Sequence, residues 1–155
     1  MPSVRMQAFL AIEAKLALVL QALDWSTLVV NPRGELGEDQ LNALVLMYGG
    51  ENEPNSLTGF VEQRVADFSV GMMVRETQGE TLEQLLDAGF VAVSDALIDP
   101  TDIQLGGLVN DVRMGAVSDP VYGRVDDGAR LIGGQVIDFS IGYLAREGDA
   151  STPGP

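Results

Sequence analysis

Hydrophobic and polar positions alternate in two stretches of the chain so similarly that one strand is in effect written twice. Residues 66–76 are A-D-F-S-V-G-M-M-V-R-E and residues 137–147 are I-D-F-S-I-G-Y-L-A-R-E, identical at six of eleven positions. The identical pairs are Asp67/Asp138, Phe68/Phe139, Ser69/Ser140, Gly71/Gly142, Arg75/Arg146 and Glu76/Glu147, and the other five positions pair apolar with apolar. Phe68, Val70, Met72 and Val74 fall on one face, as do Phe139, Ile141, Tyr143 and Ala145. The opposite face carries Asp67, Ser69, Gly71 and Arg75, matched by Asp138, Ser140, Gly142 and Arg146. A period of two marks strands with one face on a core. Two strands this alike are expected in the same sheet with similar neighbours. The likeness fades outside these stretches, so it does not signal a duplicated domain.

The rest of the chain alternates between helical and extended patterns. From Val4 to Asp24, Phe9, Ile12, Leu16, Val19, Leu20 and Leu23 recur at three- and four-residue steps, with Gln7, Glu13, Lys15 and Gln21 off that stripe. This predicts a helix, capped by Ser3. Thr27–Val30 is a β-branched strand ended by Asn31-Pro32-Arg33-Gly34, because Pro32 cannot donate to a ladder. Glu35 to Asn42 is read as an acidic loop and Ala43–Tyr48 as a strand apolar enough to be covered on both faces. Residues 49–55 are turn-rich. Thr81-Leu82-Glu83-Gln84 matches a capping box, and the helix it opens carries Leu82, Leu85, Leu86, Gly89, Phe90, Val93 and Leu97 on one stripe. Gly89 there implies close packing, and Asp99-Pro100 stops the helix.

Ile103 to Val109 reads as a short third helix or an irregular turn, and Val112 to Ala116 as a strand. Residues 118–134, rich in Gly, Pro and Asp, read as a long connection. The order helix, three strands, helix, two strands lacks regular βαβ alternation. It predicts an α+β domain over residues 1–147: two layers, a mostly antiparallel sheet with two main helices packed on one face. Residues 148–155, with no apolar side chain larger than alanine, are expected to be a disordered tail.

Composition narrows the chemistry. The chain has no cysteine and no histidine, which removes disulfides, thiolate or imidazole metal sites and mechanisms that need a His base. Its uninterrupted apolar runs fall short of the ~20 residues of a membrane span, and its start lacks the charge order of a signal peptide. The net charge is −14, with 23 acids against eight Arg and Lys15. Such a chain repels a phosphate backbone, so sequence-specific nucleic-acid binding is not expected.

The acidic clusters do not make a convincing site. Asp126-Asp127-Gly128 lacks the spacing of an EF-hand loop and reads as a polar turn. Asp99, Asp102, Asp111 and Asp119 are candidates for paired hydrolytic carboxylates only if the fold brings them together. The Gly-Gly pairs at 49, 106 and 133 are not followed by Lys-Ser/Thr, so they form no phosphate cradle. No catalytic residue, metal or cofactor is assigned. The candidate positions are contacts with other chains: Glu51 and Glu53 in one loop, Arg124, Asp126 and Asp127 in another, and Asp67, Arg75, Asp138 and Arg146 on the small, polar strand face. Long loops in a domain this size are usually functional.

The order of elements resembles the tail terminator (tail completion) proteins of long-tailed bacteriophages, the family of the lambda tail protein U. The likeness is carried by the opening helix and by A-L-V-L-M-Y-G-G-E-N-E-P at 43–54. It continues through the alternating strand at 65–75, the helix from Thr81 and the closing run at 112–145. It covers nearly the whole chain as a pattern, with a longer 118–134 segment and a Pro/Gly tail as departures. The resemblance implies a homo-hexameric ring on the end of the tail tube that stops tube polymerisation and offers the interface for head–tail joining. The implied partners are further copies of the chain, the tail tube protein and the head–tail connector or head-completion protein, with the genome passing through the ring. The implied location is the head-proximal end of the virion tail, after synthesis in the host cytoplasm, with no enzyme activity and no membrane partner. Other readings are a different head–tail connector or head-completion protein, a small carboxylate-dependent hydrolase, and a host-encoded ligand-binding domain. Six like-charged subunits repel, so assembly is expected to strengthen with ionic strength or divalent cations.

Overall fold

The computed structural model describes residues 2–34, 36–52, 55–57, 61–125, 130–146 and 149–153. Helix α1 spans Val4–Leu23 and α2 Leu82–Leu97. The strands are β1 (Thr27–Val30), β2 (Ala43–Glu51), β3 (Asn55–Leu57), β4 (Val61–Arg75), β5 (Asp111–Val117), β6 (Val121–Val125), β7 (Arg130–Arg146) and β8 (Asp149–Pro153). They form one sheet of order β1-β2-β4-β7-β5, with β3 on β4 and with β6 and β8 on β7. Every pairing among the described residues is antiparallel except β1 with β2. Both helices lie on the same face, so the fold is the expected two-layer α+β arrangement.

The repeated motif explains the centre of the sheet. Its two copies are neighbours, β4 and β7, paired so that Phe68 lies opposite Phe139, Asp67 opposite Ser140 and Ser69 opposite Asp138. An antiparallel pair of like sequences in this register has a local two-fold axis through the Phe pair. The rings of Phe68 and Phe139 stack at 5.2 Å between centroids, and Phe9 of α1 packs edge-on to Phe68 at 5.9 Å and stacks on Tyr48 at 4.4 Å. Around them, Ala66, Val70, Met72, Val74, Ile137, Ile141 and Tyr143 meet Val4, Ile12 and Leu16 of α1 and Leu82, Leu86 and Val93 of α2.

The helix ends follow their local chemistry. Ser3 Oγ accepts from the Met6 N–H at 3.1 Å, satisfying one of the free donors of α1. At α2, Thr81 Oγ1 accepts from the Gln84 N–H at 3.3 Å and Gln84 Oε1 accepts from the Thr81 N–H at 3.0 Å, closing the capping box. A Cβ at Gly89 would stand 2.7 Å from both Met72 Sδ and Trp25 Cη2, so the missing side chain lets α2 lie against the sheet.

Three expectations are corrected, and the choice left open at residues 103–109 is resolved. Residues 118–134 are not a long connection: β6 and the first part of β7 form a hairpin there, with Val121 opposite Gly134 and Val125 opposite Arg130. Gly123, Gly133 and Gly134 read as turn signals, yet Gly133 sits between Tyr122 and the Leu82 and Leu86 side chains beneath α2. β2 continues through Gly49 and Gly50 to Glu51 with a register shift, and a Cβ at Gly49 would come within 2.7 Å of the Asp67 carbonyl oxygen. The segment 103–109 resolves as a 3-10 turn at Leu105–Gly107, with φ of 70° at Gly106 and 92° at Gly107. Residues 149–153 pair with the end of β7 as β8, where a disordered tail was expected; backbone pairing needs no large side chain.

Candidate interaction surfaces

One polar cluster closes the end of the core beneath the start of α1. Pairing sets Arg64 of β4 opposite Tyr143 of β7 and Glu51 of β2 opposite Ala66, all on the helix side of the sheet. The Tyr143 hydroxyl donates to Glu51 Oε1, while Glu51 Oε2 lies 3.3 Å from Arg5 Nη1 and 3.8 Å from Arg64 Nη1. Arg64 also meets Glu62 Oε2, with Nη2 at 2.6 Å and Nε at 3.0 Å. Glu51, expected as a loop charge, is therefore the hub that joins α1, β2, β4 and β7. Sequence reasoning placed Tyr143 correctly on the core face but missed the cluster, because its members are brought together only by strand register.

Burial, then the hydrogen bond to the Glu51 carboxylate, pushes the Tyr143 phenol well above the ordinary tyrosine range. A folded-state pKa above the unfolded value favours the protonated fold. That contribution is intact below the unfolded tyrosine value of ~10 and is lost as pH rises above it. Burial and then the charge of Glu13 move Tyr48 in the same direction. Denaturant melts should show stability falling above pH ~10 less steeply in Tyr143→Phe than in the unmodified protein. Parallel curves for the two proteins would remove Tyr143 from this role.

The other sequence-selected residues are dispersed. On the sheet face away from the helices, Asp67 and Asp138 are exposed, and Asp138 Oδ1 accepts from Ser69 Oγ at 2.9 Å. Arg75 is half-buried at the end of β4, where its N–H donates to Asn42 Oδ1 at 2.8 Å. Arg124 is exposed in β6. Glu53, Asp126 and Asp127 lie outside the described residues, as does the Arg146 side chain, whose backbone ends β7.

Three of the four candidate hydrolytic carboxylates hold contacts within the fold. Asp99 Oδ1 accepts from the Thr101 N–H and hydroxyl, and the hydroxyl contact, followed by the backbone one, holds its carboxyl below the usual range. Asp102 pairs with Lys15 Nζ at 3.1 Å and accepts from the Gly106 N–H, which likewise lowers it. Asp111 pairs with Arg113 at 2.8 Å, and Asp119 is exposed. Among the described residues, no three carboxylates gather as metal ligands would.

Two apolar surfaces stand out instead. Apolar residues surround α1 on all sides, so burying Val4, Ala8, Phe9, Ile12, Leu16 and Val19 leaves a second stripe outside. Met6, Leu10, Ala14, Leu18 and Ala22 follow at four-residue steps, with Met6, Leu10 and Leu18 at 38%, 50% and 66% exposure. Such a row forms a continuous ridge on a helix surface. By length and composition this helix could also cross a membrane, which counting uninterrupted apolar runs had missed; in the fold, its inner stripe packs in the core. The second surface is a groove of about 320 Å³ between α2 and the β5–β6 edge. Leu86, Phe90, Val117 and Tyr122 line it, together with Glu83 and Asp87 of α2. Contiguous exposed apolar surface marks sites of contact with other molecules.

No protein-family model and no curated protein matches the chain. Chains of solved structures do match, among them one described as "Virion of native gene transfer agent (GTA) particle". It is 17% identical, with a TM-score of 0.40, and the match covers 84% of this chain and 91% of that one. That likeness is too loose to carry a function across.

Proposed function

We propose that the protein is a structural component of a long-tailed phage particle, a tail terminator that assembles as a homo-hexameric ring on the end of the tail tube. The ring stops tube polymerisation and presents a surface for the head–tail connector or head-completion protein. The observation that carries this reading is the exposed apolar ridge of α1, which calls for a protein neighbour rather than a small substrate. The order and two-layer arrangement of the elements agree with the resemblance in the sequence. The function is mechanical: interfaces, shape and charge complementarity, with no bond made or broken. At −14 per copy, association works against like-charge repulsion that salt screens. Disrupting the gene in a phage that carries it should give overlong tails without attached heads, restored by supplying the protein. Tails of normal length after disruption would contradict the proposal.

A further inference from the structure

We draw no further inference here: the strongest candidate, the surface patch made by the outward ridge of α1 at Met6, Leu10 and Leu18 together with the groove between α2 and the β5–β6 edge, carries nothing more, because Arg5 and Lys15 of α1 are held by Glu51 and Asp102 of the same chain and nothing in the structure shows what covers either surface.

Discussion

Replacing Phe68 or Phe139 with alanine should cost about 3–5 kcal/mol of folding stability in each case, the range for deleting a fully buried aromatic ring. Phe68 is 1% exposed and Phe139 2%, and the two rings stack on each other where the repeated strands cross their local two-fold axis. Domains are stable by about 5–15 kcal/mol, so either change removes a large fraction of the total and should lower Tm by roughly 10 °C. The double variant should lose less than the sum of the two, because the ring–ring contact, worth about 0.5–1.5 kcal/mol, is counted in both. Ser69→Ala, one residue along but on the open face, should change stability by no more than about 0.5 kcal/mol. Denaturant melts of the four variants check this. Strict additivity of the Phe changes, or a Ser69 change as costly as either, would mean that the repeat does not organise the core.

The second large effect is expected at Gly89. An alanine Cβ there would meet Met72 Sδ and Trp25 Cη2 at 2.7 Å. The sulfur belongs to a flexible side chain and can shift, but the buried indole is rigid and sits where α1 hands over to β1. Alanine recovers up to about 1 kcal/mol of helix propensity against an overpacking cost of about 1–3 kcal/mol, so Gly89→Ala should be neutral to moderately destabilising. Gly89→Val adds branched bulk without that propensity gain and should cost about 3 kcal/mol. Trp25 is the sole tryptophan of the chain, so its fluorescence reports the displacement directly. A Gly89→Ala protein more stable than the unmodified one, with unchanged emission, would show that α2 has room to spare.

Much of this fold was legible before any coordinates. Ser3, Thr81 and Gln84 announce both helix starts, and the twin D-F-S motifs announce two strands of one sheet, because caps and period-two alternation are local signals. β6 and the first part of β7 were hidden because Gly123, Gly133 and Gly134 imitate turn residues locally while long-range pairing holds them extended. β8 was hidden for a related reason: backbone pairing with β7 holds it extended, which its small side chains do not announce. Asp67 and Asp138 lie on the open strand face where the alternation put them. Glu51 does not behave as its Gly-rich neighbourhood suggests, because β2 runs on and delivers it to Tyr143, Arg5 and Arg64. The inner stripe of α1 was read correctly, with Phe9, Ile12, Leu16 and Val19 buried, but the ridge was missed because Met6, Leu10 and Leu18, which lie off that stripe, were not followed round the helix. Leu10 and Leu18 count as core or surface only once Phe9, Ile12 and Leu16 have been placed.

If this chain closes into a ring and caps a tube, negative-stain images of the purified protein mixed with phage tail tubes should show it. Six-fold rings are expected alone in solution and seated on one end of each tube, with tube walls bare. Particles of monomer size together with uncapped tube ends at every salt concentration would contradict it.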